Sequence, residues 1–170
     1  MIRETIEIGV IVERRRLNNP WADHAWMPTA VLVGSPAAAP WTVLDETPDV
    51  TRYYAGSFLL EIFETDTGDY RGNILSGQPS LWVVLGSSDE PPGVAIRAVT
   101  ANPAEGEALT EPGTDIVEAV AMPPAIRARL AAFVEAHHVE RPFVKRKRDR
   151  ADPETLAARP RGSHIPDEDK

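Results

Sequence analysis

The chain of 170 residues contains no cysteine, and no lysine precedes Lys145. The lack of cysteine excludes disulfides, thiolate metal sites, cysteine nucleophiles and iron–sulfur ligation by this chain. No apolar run approaches the roughly 18 residues that a membrane span needs, and residues 1–10 hold two acidic side chains and no continuous apolar segment of a secretory signal. We therefore expect a cytoplasmic protein without a membrane contact, whose available chemistry is limited to oxygen and imidazole groups.

Positive charge is concentrated near the C-terminal end of the sequence. Residues 1–139 carry 9 arginines against 19 acidic residues, whereas residues 145–150 read KRKRDR. The formal charge of −8 disfavours nucleic acid as a partner of the body, because phosphate repels an acidic surface at long range. Binding of nucleic acid through the basic residues near the C-terminal end is a third, less favoured alternative. Length and a hydrophobic content of 42% predict one globular domain over residues 1–140, followed by a basic, proline-rich tail over residues 141–170.

Hydrophobic patterning predicts a fold that is mainly β, of the α+β class. Apolar residues alternate with other residues from Ile6 to Val12, which is typical of a strand with one buried face. Close turns between the later strand-like runs favour antiparallel pairing, since parallel pairs need long crossover connections. We expect an antiparallel β-sandwich or partly closed barrel with one C-terminal amphipathic helix. The other strand-like runs are residues 26–33, 41–46, 51–64 (interrupted at Gly56), 81–85 and 94–100.

The amphipathic helix is predicted to begin at Pro123–Pro124 and to end near Val139. Its apolar stripe, expected to pack on the sheet, comprises Ile126, Leu130, Phe133, Val134 and His137. His137 and His138 point about 100° apart on a helix, so they cannot chelate one ion as an i, i+4 pair does. We interpret them as helix-end histidines and predict no metal site. A shorter helix near residues 104–109 is weakened by Gly106, and residues 66–69 are interpreted as a turn.

Motifs of the common enzyme classes are missing from the sequence. It contains no GxGxxG, no Walker loop and no G-x-S-x-G elbow. Asp23 and His24 are adjacent, but a catalytic dyad needs spatial adjacency and a nucleophile. The preferred interpretation of this segment is a loop that Trp21 and Trp26 anchor to the domain surface. We predict a protein that is not an enzyme, with no catalytic residues and no cofactor.

Two groups of residues are candidates for binding. The first is a partner-binding group, because indoles dominate many interfaces and Phe143 would dock while the tail charges steer association. Its members are Trp21, Trp26, Phe143, Lys145, Arg146, Lys147, Arg148 and Arg150. The second group is Arg14, Arg15 and Arg16, whose preferred interpretation is a solvated strand edge that resists aggregation. The alternative is an anion clamp, because arginine forks bind carboxylates and phosphates bidentately.

Several short motifs together resemble one uncharacterised bacterial domain family. They are VERR, NPW, W-x-P, VL-x-G, YYAG, PSLWVVL, the MPP helix start and HHVERPFVKRKRDRADPE, and the resemblance spans most of residues 6–154. Genes of that family commonly lie beside molybdenum-dependent formate dehydrogenase and its maturation genes, and members are sometimes labelled molybdopterin-guanine dinucleotide biosynthesis proteins. That activity is not carried over, because such a nucleotidyltransferase resembles a Rossmann-like fold with a glycine- and lysine-bearing phosphate loop.

The resemblance implies a role in the assembly or operation of formate dehydrogenase. We expect a non-enzymatic accessory protein that binds a formate dehydrogenase subunit or a maturation factor. The alternative is a binding protein or enzyme for a small anionic ligand or molybdopterin-type cofactor. In that case the ligand would lie between the sheet and the helix, with Arg14, Arg15, Arg16 or Arg97 as clamps.

Overall fold

A computed structural model of the chain describes residues 1–111 and 113–145. Residues 1–139 form one compact unit, and the segment that begins at Glu140 is a separate one. In chain order the strands and helices are β1 (Arg3–Arg16), β2 (His24–Val33), β3 (Thr42–Glu46), β4 (Val50–Phe63), α1 (Thr67–Leu75), β5 (Ser80–Ser87), β6 (Val94–Thr100), α2 (Pro103–Leu109), β7 (Ile116–Ala121) and α3 (Pro124–His137), with a 3-10 turn at Glu64–Asp66.

The strands form two antiparallel sheets with the orders β2-β1-β4-β3 and β6-β5-β7. The prediction of a mainly antiparallel β fold is confirmed, and the sheets are not closed into a barrel. The alternation in β1 has the expected cause, since Ile6, Ile8 and Val10 are each at most 1% exposed and belong to the core. In the part of the chain that the structure describes, no helix is both long and apolar enough to cross a membrane.

Strand β4 is longer than the sequence pattern suggests. Gly56 was expected to interrupt the strand, but β4 runs through it for 14 residues. The register between β1 and β4 shifts between Val10 and Ile11, and Gly56 there has φ +136°, a conformation that glycine adopts most readily. The glycine therefore accommodates a bulge, which bends the paired strands without ending them.

The three α-helices differ in how clearly an apolar periodicity in the sequence predicts them. In α3 four residues of the predicted stripe, Ile126, Leu130, Phe133 and Val134, are buried, whereas the fifth, His137, is half-buried. Residues 66–69 were interpreted as a turn, and this was wrong, since they lead from the 3-10 turn into α1. The buried residues of α1 are Thr67, Tyr70 and Asn73, so this helix has almost no aliphatic stripe to reveal it. The short helix α2 is present as predicted.

Candidate functional site

An open cleft of about 1070 Å³ lies at one end of the four-stranded sheet. Antiparallel pairing brings the end of β1, the start of β2 and the turn between β3 and β4 to this same end. The cleft walls are the β1–β2 loop, the β3–β4 loop and the side chains of Arg14, Arg16, His24 and Thr51. The adjacent residues Asp23 and His24 thus both line this cleft.

Strand alternation separates the three consecutive arginines. Arg14 and Arg16 line the cleft, whereas Arg15 pairs with Glu13 at 3.1 Å. Glu13 also lies 3.8 Å from Arg52, so the Arg15 side of the strand carries a neutralised network. Strand β1 lies between β2 and β4, and the interpretation of the triplet as protection of a sheet edge is therefore wrong.

The Arg14 guanidinium lies over an aromatic cluster formed by Trp26, Trp41 and Tyr53. Its Cζ atom is 5.8 Å from the centroid of the Trp26 ring and 5.7 Å from that of Tyr53. Trp41 lies edge-on to both rings, at centroid distances of 5.6 Å and 5.9 Å. Attraction between the cation and the ring faces restrains the guanidinium of Arg14, which also lines the cleft. Trp26 is thus half-buried within β2 and supports Arg14.

Trp21 has the opposite environment, with 91% of its surface exposed. The Asn19 Oδ1 atom accepts hydrogen bonds from the backbone N–H groups of Trp21 at 3.0 Å and Ala22 at 2.8 Å. The Leu17 N–H group donates to the Asp23 carbonyl at 2.8 Å and closes the loop. The loop is therefore fixed by its own hydrogen bonds. The expectation that Trp21 anchors it to the domain surface is wrong, because the indole points into solvent.

The cleft carries both signs of charge. Besides its two arginines, its lining includes the carboxylates of Asp23, Glu46 and Asp49, which gives a formal balance of −1 with neutral histidine. Within residues 1–111 and 113–145, none of these five groups takes part in a salt bridge. The cleft thus holds unpaired donors and acceptors without an excess of positive charge.

A second cavity, of about 550 Å³, lies beside α1, α2 and the start of β5. Its central polar group, the buried Asn73 amide, donates to the carbonyls of Ser80 and Ala101, each at 2.8 Å, and accepts from the Ser80 N–H group at 3.0 Å. Asn102 caps α2 and donates to Asp69 at 3.2 Å. These groups are satisfied by one another, so the network stabilises the fold and leaves little for a ligand.

Arg97 does not join the other candidate arginines. It lies in β6 of the three-stranded sheet, and its guanidinium donates to the Ser87 carbonyl. Its side chain crosses Gly86, where a Cβ atom would come within 2.7 Å of the Arg97 Cγ atom. Arg14 and Arg16 line one cleft, and the described residues that line it include neither Arg97 nor any residue of α3, so the clamp suggested between sheet and helix is not assembled there.

The paired histidines both have partners inside the domain. The His137 ring lies 4.7 Å from the Phe133 ring, centroid to centroid. His138 caps α3, and its Nδ1 atom is 3.1 Å from the Thr67 hydroxyl. That hydroxyl donates its hydrogen to the Glu64 carbonyl, so its oxygen accepts a hydrogen bond from the Nδ1–H group of His138. Among the described residues no group of three histidine, aspartate or glutamate side chains could hold a metal ion.

The tail candidates are described only in part. Phe143 is 87% exposed and Val144 is 80% exposed, and Lys145 is the last described residue. Arg146, Lys147, Arg148 and Arg150 lie outside the described residues, and their role as partner-binding residues stays a prediction.

One comparison with known proteins gives a match. The model of a family described as "Protein of unknown function (DUF3305)" matches residues 7–147, a range that includes all of both sheets except the first four residues of β1, the three helices and the first residues of the basic run. No curated protein and no solved structure matches significantly.

Proposed function

The chain belongs to the DUF3305 family, and from its geometry we propose that it is a non-enzymatic accessory protein that binds another protein. The binding surface is the docking end, which we define as the loop of residues 17–23 together with the cleft lined by Arg14 and Arg16. The observation that carries this proposal is Trp21, which is 91% exposed at the tip of a loop closed by its own hydrogen bonds.

An exposed tryptophan on a fixed loop favours binding for an energetic reason. Indoles bury about 150–250 Å² each when covered, and tryptophan and arginine are enriched among the residues that dominate binding energy. Because Asn19 already orders the loop, a partner that covers Trp21 loses little conformational entropy on binding. Single exposed apolar residues are common on proteins, but Trp21 stands beside a cleft with unpaired charges.

The resemblance described above suggests the partner. We propose that the partner is a formate dehydrogenase subunit or a maturation factor of that enzyme, and that binding takes place in the cytoplasm. The exposed Phe143 and the basic residues that follow it in the sequence would supply a second contact, in which charge accelerates association and the phenyl ring docks.

Affinity capture from the native host tests the proposal. Tagged full-length protein should recover a formate dehydrogenase subunit or maturation factor under mild conditions, and Trp21→Ala should lower the recovery about tenfold or more, because truncation of a central anchor costs about 2 kcal/mol or more. Leu75→Ala is the matched control, since Leu75 is also a large exposed apolar residue, 70% exposed at the end of α1, and should bind as the unmodified chain does.

Two results would count against different parts of the proposal. If the unmodified chain recovers no component of the formate dehydrogenase system, the named partner is wrong. If a partner is recovered equally well with Trp21→Ala, the docking end is wrong. Removal of residues 141–170 measures the separate contribution of the tail.

A second candidate function is the binding of a small anionic ligand such as a molybdopterin-type cofactor. It is favoured by Arg14 and Arg16, which line the cleft without carboxylate partners among the described residues. It is disfavoured by the three carboxylates in the same lining, which repel a multiply charged anion. Calorimetry with molybdopterin, a nucleotide and formate separates the two: micromolar binding that is lost in Arg14→Gln would favour the ligand.

A further inference from the structure

Resting on the proposed function, we infer that Arg14 and Arg16 recognise carboxylates on the partner. The docking end then takes an extended protein segment with acidic side chains at alternate positions. The charged groups of the cleft lining contact both kinds of charge on this segment. The two arginines pair with its acidic residues, and the carboxylates of Asp23, Glu46 and Asp49 pair with a neighbouring basic residue.

Aromatic neighbours restrict the Arg14 side chain before a carboxylate binds. Its guanidinium is held near the faces of Trp26 and Tyr53, and among the described residues no salt bridge occupies its N–H groups. A carboxylate that accepts two of these N–H groups forms the strong bidentate pair. Because the aromatic cluster already fixes the side chain, less entropy is lost when the pair forms.

The spacing of the two arginines sets the pattern of the segment. Arg14 and Arg16 are two residues apart on β1, so their Cα atoms are separated by roughly 6.5–7 Å, which is also the separation of alternate residues in any extended chain. An extended segment with acidic residues at positions i and i+2 therefore presents both carboxylates at the matching interval. Trp21, on the loop that follows Arg16, offers a surface for an apolar residue beside them.

Charge distinguishes this occupant from three others. A phosphate group or nucleic acid brings no cation for the carboxylates of Asp23, Glu46 and Asp49, and repulsion from these three groups would stay uncompensated. A second copy of the chain would bring together two bodies that each hold 9 arginines and 19 acidic residues through Val139, and this like charge opposes association. A segment of mixed charge satisfies both kinds of group.

An array of synthetic peptides tests the inference with the full-length protein. The probes are heptapeptides with two acidic residues at alternate or at adjacent positions, one lysine and one leucine, and matched peptides with asparagine or glutamine in place of the acids. Peptides with alternate acids should bind best, and the amide versions should bind at least about tenfold more weakly, as expected for the loss of a charge-assisted pair.

The arginine triplet supplies its own control. Arg14→Gln and Arg16→Gln should each weaken binding about tenfold or more, whereas Arg15→Gln should not, because Arg15 pairs with Glu13 away from the cleft. Arg14→Lys should lose part of the affinity, since lysine keeps the charge but not the planar fork. Thermal unfolding of every variant identifies any variant that fails to fold. If Arg14→Gln does not fold, Arg16→Gln and Arg14→Lys replace it in the comparison with Arg15→Gln.

The inference is overturned if Arg15→Gln weakens binding as much as Arg14→Gln does, or if amide and acidic peptides bind alike. It is also overturned if inorganic phosphate or single-stranded DNA competes better than the acidic peptides, if the chain is a dimer that Arg14→Gln dissociates, or if no peptide binds the unmodified chain. The proposed function has a separate readout, because loss of partner capture by Trp21→Ala supports the docking end whatever the array shows.

Discussion

The replacement of Gly106 by alanine should destabilise the protein, although the same change in most helices is stabilising. Gly106 lies inside α2 and is buried. In a free helix, alanine is favoured over glycine by about 1 kcal/mol. A Cβ atom at position 106 would, however, lie 2.6 Å from the Cδ1 atom of Trp82 and even closer to other ring atoms, so the indole must move.

Two opposing terms decide the expected size of the effect. Overpacking in a well-filled interior costs about 1–3 kcal/mol, and the close approach to a bulky ring places this site in the upper part of that range. After the gain in helix propensity is subtracted, we expect Gly106→Ala to lower the free energy of unfolding by about 1–2 kcal/mol. Urea unfolding followed by circular dichroism measures it.

Gly72 provides the control for this reasoning. It lies in α1, and a Cβ atom there would meet nothing within 4 Å. Gly72→Ala should therefore raise the free energy of unfolding by about 0.5–1 kcal/mol. In a Trp82→Ala background, Gly106→Ala should lose its penalty, because the two residues are in contact and their effects are not additive. A Gly106→Ala protein as stable as the unmodified chain would refute the argument.

Three further predictions concern the core. Phe133→Ala should lower the free energy of unfolding by about 3–5 kcal/mol, because Phe133 is only 2% exposed; a loss under about 1 kcal/mol in urea unfolding would place the ring at the surface. Asn73→Ala should cost about 3 kcal/mol or more, since it leaves three backbone groups without their partner, and an unchanged urea midpoint would contradict the role given to this amide. Burial raises the pKa of the Tyr70 phenol from 10.0 to about 12, so the folded state keeps a proton that the unfolded state has lost. The stability that Tyr70 contributes is thus fully present below about pH 10 and is lost as pH rises towards about pH 12. Ultraviolet titration of Tyr70→Phe against the unmodified chain should show one phenol fewer at the alkaline end.

Much of the fold could be predicted because its signals are local. The apolar alternation of β1 and the stripe of Ile126, Leu130 and Phe133 in α3 each record which face is buried, and burial imposes a period of two or about 3.6 residues. Strand β7, of which only Val120 is buried, was not predicted. Helix α1 was missed for a related reason, because its buried side chains are mostly polar and its place in the fold rests on long-range hydrogen bonds such as that from Asn73 to Ala101.

The candidate site could be predicted less well, because it depends on contacts between distant segments. Trp21 and Trp26 have the same side chain five positions apart, yet one is solvent-exposed and the other supports Arg14. The sequence alone ranked the basic tail above the arginine triplet as a binding region. No local pattern indicates that the loop after β1 meets the turn before β4, since their meeting depends on the order of strands in the sheet.

The sequence by itself determined the classes of chemistry that lack of cysteine excludes, the acidic balance of residues 1–139, and the buried faces of β1 and α3. Only the tertiary structure decided which of the three consecutive arginines are free to bind. Arg15 is neutralised by Glu13, which also pairs with Arg52 from β4, whereas Arg14 and Arg16 point into a cleft built from two loops. Residue type fixes the charge of a side chain, but its partners come from segments that are distant in sequence, and folding brings them together.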